Sequence, residues 1–167
     1  MRIAETLLPE FDEEMKGTRK VLARLPEEQL DWQPHPKSMS LGRLANHVAD
    51  MVGWGAMVLR ETELDLAPEG APAWELPNHT TREALLAAFD ANVAETRAAL
   101  AAAADADFGV PWTLRAGAQV YFTLPRAVVM RSMVFNHLIH HRAQLTVYLR
   151  LLDVPIPGLY GPSADEQ

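Results

Sequence analysis

Three of the chain's six histidines fall within the stretch Phe135-Asn136-His137-Leu138-Ile139-His140-His141-Arg142-Ala143-Gln144-Leu145. No Gly or Pro interrupts residues 126–152, so they read as one long helix. Residues three and four apart share a helix face. One stripe then runs Met130, Val134, His137, His141, Leu145, Tyr148, Leu152, apolar except for its two histidines. His137 and His141 stand about 40° apart around the axis, close enough to reach one ion just off the helix surface. A third imidazole, His47, falls on a distant stripe of the same kind: Leu44, His47, Met51, Trp54, Val58. Neutral imidazole nitrogens suit zinc, nickel and iron. Structural zinc sites are closed by four protein ligands, whereas catalytic sites keep a position open. Three histidines therefore point to an open, reactive or substrate-binding centre, where an ion would draw the pKa of a bound water toward neutrality.

The competing reading is a core in which each histidine is simply hydrogen-bonded. A pair at i, i+4 fits either; the third imidazole on a separate core-facing stripe favours metal. Leu138 occupies the position of the glutamate base in H-E-x-x-H, so metalloprotease chemistry has no support. No catalytic group beyond the ligands is identifiable. His140 lies off the stripe, beside Asn136, Gln144 and Val147, and reads as a residue behind the ligands or on a groove. Asp50, one turn beyond His47, is placed either to orient an imidazole or to face solvent. Arg142 is placed to hold an anionic substrate or to form a surface ion pair. Trp54, Trp74, Trp112 and Tyr121 either line a pocket or pack the core. His35 and His79 belong to loops.

The elements that must carry these residues are mostly helical. Residues Ile3 to Leu25 have apolar positions at helical spacing (Phe11, Met15, Leu22), with Pro9 in the first turn or marking a start near Leu8. A proline-rich connector follows, with Leu30 and Trp32 as its anchors. Ser40 caps a second helix that runs to about Arg60. Residues 61–79 form a long connector, of the length that is usually functional or mobile. Thr80 or Thr81 caps a third helix that ends in an alanine-rich tail near Asp105. Residues 108–124 break the pattern and read as a short β-hairpin with Gly117 in its turn. Pro125 opens the last helix, and Ile156, Leu159 and Tyr160 of the tail are placed to pack back. The expectation is an all-α protein: a four-helix bundle with a short β-hairpin before the last helix, in a single domain over 1–167.

Composition bounds the alternatives. The chain has no cysteine, which excludes disulfides, thiolate metal sites and cysteine nucleophiles. A net charge of −7 with no basic run argues against nucleic-acid binding. No apolar run approaches the roughly 20 residues of a membrane span. The N-terminus lacks the apolar core of a signal peptide, so a soluble cytoplasmic protein is expected.

The stretch Asn136 to Leu145, followed by Tyr148-Leu149-Arg150, Val154-Pro155 and Tyr160-Gly161-Pro162-Ser163, resembles the C-terminal signature of the DinB/YfiT-like family. Ser38-Met39-Ser40-Leu41-Gly42-Arg43-Leu44-Ala45-Asn46-His47 resembles the family's other signature, and the helix order matches along essentially the whole chain. Ala143 stands where many members have glycine. The resemblance implies a four-helix bundle, frequently a homodimer, with a divalent metal (Zn, Ni or Fe) held at the positions of His47, His137 and His141. It further implies a small-molecule substrate and thiol S-transferase or isomerase chemistry with a low-molecular-weight thiol as cosubstrate, in which a metal-bound thiolate attacks an electrophile. A hydrolase working through a metal-activated water is the neighbouring possibility. The alternative is a stress-response or binding protein whose metal site is structural or vestigial. The family's name refers to damage-inducible expression and does not imply DNA binding.

Overall fold

A computed structural model describes residues 2–70, 72 and 75–167; Trp74, weighed above as a pocket aromatic, lies outside them. Helix α1 spans Ile3–Leu22 and buries Leu7, Phe11, Met15 and Val21 along one face. It begins before Pro9, which sits inside it. The Ile3 amide, one of the donors a helix start leaves unpaired, finds Asp105 Oδ1 at 2.7 Å. The connector that follows is anchored as expected. Leu30 and Trp32 pack against the core, and their carbonyls accept from the Gly42 and Leu41 amides at 2.8 Å each.

The second helical rod is in two pieces, α2 (Leu41–Met51) and α3 (Trp54–Arg60). The Ser40 hydroxyl accepts from the Arg43 amide at the start of α2. The break at Val52–Gly53 corrects the expectation of one helix to Arg60, and its cause lies in helix α4 (Arg82–Ala102). Asn92 donates to the Ala49 carbonyl at 3.0 Å. The buried Thr96 hydroxyl donates to the Val52 carbonyl at 2.7 Å and accepts from the Ala56 amide at 3.1 Å. Backbone groups released by the interruption are thus paired by α4 side chains, as buried polar groups must be.

Between α3 and α4, where the sequence predicts only a connector, the chain forms a short strand. Strand β1 (Glu63–Asp65) pairs in parallel with β2 (Pro111–Ala116), which pairs antiparallel with β3 (Gln119–Pro125). The expected hairpin is therefore the greater part of a three-stranded sheet of order β1-β2-β3. Gly117 takes a φ of +56° in the hairpin turn, a conformation that favours glycine.

The last rod runs from Arg126 to Leu151 in three segments: α5 (Arg126–Val129), a π-helical stretch (Met130–Asn136) and α6 (His137–Leu151). The four rods pack around a core that includes Phe11, Phe89, Phe108 and Phe135, with Phe11 and Phe135 edge to face at 6.0 Å. The molecule is a four-helix bundle with a small sheet set before the last helix. Among the described residues, no helix is long and apolar enough to cross a membrane.

Candidate metal centre

The stripe read from the last helix holds in the folded chain: Met130, Val134 and Leu145 are fully buried, and His137 and His141 take their place between them. The π-helical stretch ends at Asn136, immediately before the first of the two histidines. π-helical turns are rare and concentrate at functional sites. α2 packs across α6 and presents His47. Its ring lies 5.4 Å from that of His137 and 4.7 Å from that of His141, centroid to centroid, and the two α6 rings are 4.7 Å apart. One nitrogen from each imidazole falls within 4.8 Å of the others.

The closest approach is between His137 Nε2 and His141 Nε2, at 2.9 Å. Two imidazole lone pairs cannot face each other at that distance unaided; they share one proton or flank a cation. Gln144 settles which nitrogen of His141 faces the cluster. Its Oε1 lies 2.7 Å from His141 Nδ1 and accepts that proton, leaving Nε2 unprotonated toward the seam. The same amide donates through Nε2 to His140 Nε2 at 3.1 Å. A second-layer partner of this kind fixes tautomer and ring orientation in histidine metal sites.

Burial holds all three imidazoles below their ordinary pKa. His47 falls to about 4, through desolvation first and then the neighbouring His141, His137 and Arg43. His137 is lowered by burial and by His141, with the Met133 backbone opposing. His141 is lowered by burial, with its Gln144 contact opposing. The cluster is therefore neutral at neutral pH, the protonation state that metal ligation requires. It is Nε2 of His137 that faces the cluster, so Nε2 is the nitrogen this residue offers to the seam. Three neutral nitrogen donors from two helices fit a borderline divalent ion.

The remaining sequence candidates are placed as follows. Trp54 packs its ring at 5.7 Å from His47 and 5.9 Å from His137. Asp50 accepts from Trp54 Nε1 at 3.1 Å, so it orients the indole rather than an imidazole; burial raises its pKa, with the Trp54 contact opposing. His140 is exposed and packs its ring edge to face against that of His141, 4.8 Å between centroids. Arg142 does not form a surface ion pair. It is 2 % exposed and its guanidinium is committed to the Glu14 carboxylate at 2.6 Å, the Thr18 hydroxyl and the Tyr160 hydroxyl. His35 is exposed in its loop and accepts from the Lys37 amide. The His79 backbone amide and carbonyl are both bound by the buried Asn46 side chain, next to His47. Gln144 had no assigned role in the sequence reading, although its spacing from His141 and His140 (three and four residues) carries the signal.

The model of the DinB superfamily matches residues 10–145. An uncharacterized protein of Bacillus subtilis (strain 168), YrdA, is 26% identical over 164 residues, covering 95% of this chain and 89% of its own. Among solved structures, a DinB-like protein from Bacillus cereus ATCC 10987 superposes with a TM-score of 0.68 at 24% identity, over 95% of this chain and 98% of its own. The DinB-like protein YjoA from Bacillus subtilis gives a TM-score of 0.65 at 16% identity, over 90% and 95%. At these identities the two structures establish the fold.

Proposed function

This chain belongs to the DinB superfamily, and on that premise we propose that it is a metal-dependent enzyme, a thiol S-transferase or a hydrolase, with a divalent ion (zinc, nickel or iron) held by His47, His137 and His141. The observation that carries this reading is the convergence of three neutral imidazoles, with no fourth His, Asp or Glu in the set among the described residues. A set of three leaves a coordination position for a reactant, which a closed structural site does not. A divalent ion bound there would supply Lewis acidity, lowering the pKa of a thiol or water and so generating a nucleophile at neutral pH.

The chain's own residues do the rest. Gln144 holds the His141 tautomer. Trp54 covers the seam between His47 and His137 and is itself oriented by Asp50. With no cysteine in the chain, the thiol of a transferase reaction enters as a low-molecular-weight cosubstrate, and the acceptor is a small electrophile. We place the protein in the cytoplasm, where such thiols are abundant, and read it as a homodimer.

Metal analysis of untagged protein, paired with a thiol-conjugation assay against simple electrophiles, tests the proposal. The expected result is a stoichiometric ion in the wild type, its loss in His137→Ala, and thiol consumption at least a hundredfold slower in the variant. A wild-type protein without metal overturns the reading. Metal bound without turnover of any thiol, ester or amide favours the alternative, a binding or stress-response protein with a structural ion.

A further inference from the structure

Trp54 has a second neighbourhood. Beside it lies a cavity of about 230 Å³ whose wall is wholly apolar. Met57 from α3, Leu64 from β1, Leu114 from β2, and Met133 and Val134 from the π-helical stretch enclose it together with Trp54. The cavity and the imidazole cluster thus share one wall: the same indole lines the cavity and packs against His47 and His137. Met133 and Val134 line it one turn before His137. The small sheet, peripheral to the bundle, supplies its opposite side.

We infer that this cavity is the seat for an apolar tail, an alkyl chain or an aryl group, carried by a molecule whose polar reacting head reaches the three histidines past the edge of the Trp54 indole. An apolar cavity stays dry and takes apolar guests, as one of about 150 Å³ takes benzene; the larger volume here admits a ring with a short extension. Binding sites are ordinarily apolar enclosures with a few polar groups at one end. The surface it presents is apolar, although Trp112, whose indole N–H is buried without a hydrogen-bond partner among the described residues, also lines it; the histidine seam lies on the other side of Trp54. The position of the head rests on the proposed metal centre, whereas the seat for the tail does not.

Two ligand series on the full chain separate the two parts. Straight-chain alkyl hydroxamates of two to eight carbons are titrated into zinc-loaded protein. Length-matched n-alkyl alcohols, which have a tail but no chelating head, are titrated into chelator-treated protein; both are followed by tryptophan fluorescence. Each added methylene is expected to tighten binding roughly fourfold in both series until the cavity is full. Leu114→Trp, which fills the cavity from a half-buried position, is expected to flatten the length dependence while leaving the two-carbon hydroxamate bound as before. Leu64→Phe serves as an independent filling variant should the first misfold. Affinity independent of chain length in both series overturns the inference, as does length dependence that survives in a folded, filled variant. Length-dependent alcohol binding with no hydroxamate binding upholds the seat and counts against the metal centre.

Discussion

Gln144 illustrates how a single exposed side chain controls the chemistry of buried ones. Its carbonyl oxygen holds the proton of His141 on Nδ1 and its amide group reaches His140, so the lone pair on His141 Nε2 is presented to the seam. Gln144→Ala is expected to weaken metal affinity about 10- to 100-fold, the usual cost of losing such a partner. Stability of the metal-free protein should change by no more than about 0.5 kcal/mol, as for other surface positions. Competition with a chromogenic chelator measures the first and urea unfolding the second, and Gln144→Glu, which keeps the acceptor, should recover most of the affinity. The depressed pKa of His47, about 4, has its own consequence. Between the ordinary histidine value of about 6.5 and 4, the unfolded chain binds a proton at this position and the folded chain does not. Stability of the metal-free protein therefore falls as pH drops through that window and is fully present only above it. The urea midpoint measured from pH 7 to 4.5 should show this loss in the wild type and less of it in His47→Ala. The placement of the histidines was legible in the sequence, because helical phase alone separates His137 and His141, which face the cluster, from the exposed His140. The fate of Arg142 was not, because its partner Glu14 lies 128 residues away and no local pattern announces that pairing.

At the scale of elements, the break between α2 and α3 sets where Trp54 stands. A continuous helix from Leu41 to Arg60 is what hydrophobic spacing specifies, since Leu44, His47, Met51, Trp54 and Val58 run through the break without losing phase. The interruption is imposed from α4, through Asn92 and Thr96, and is visible only once α4 is packed. Gly55 is required there: a Cβ at this position would come within 2.4 Å of Thr96 Cγ2 and 3.3 Å of its hydroxyl. Gly55→Ala is therefore expected to destabilise by about 1–3 kcal/mol through overpacking and to shift the Trp54 emission. Thr96→Ser removes the obstructing methyl but keeps the hydroxyl that pairs Val52 and Ala56. Combined with Gly55→Ala it should restore much of the loss, a coupling that a double-mutant cycle by urea unfolding measures directly. A cycle that adds without coupling would place the strain elsewhere. Strand β1 escaped the sequence reading for a related reason. It is three residues long and its partner, β2, comes some fifty residues later, so no local alternation marks it. The π-helical turns are likewise invisible to a pattern that tests only for a 3.6-residue period.

For the molecule as a whole, the candidate site is a joint. α2 and α6 come from opposite halves of the chain, and their facing histidines bring one nitrogen each within 4.8 Å of the others. α1, α6 and the C-terminal tail are fastened independently, through Arg142 with Glu14, Thr18 and Tyr160, so the bundle does not depend on an ion to find its topology. That separation predicts the form of metal dependence. The protein should fold without metal, yet gain stability from it by mass action, because an ion that requires both helices in register binds the native state alone. At free metal a hundred times above the dissociation constant the gain is about 2.7 kcal/mol, or roughly 5–10 °C in Tm for a chain of this length. His47→Ala should abolish the shift even though it leaves both histidines of α6 in place, because a tripod reduced to two ligands on one helix no longer bridges the seam. Differential scanning fluorimetry of chelator-treated protein with and without added zinc, in wild type and variant, reads both effects. A wild-type Tm indifferent to zinc, nickel and iron alike would mean that the three histidines are core residues after all. A shift that survives His47→Ala would confine binding to the α6 pair and remove α2 from the site.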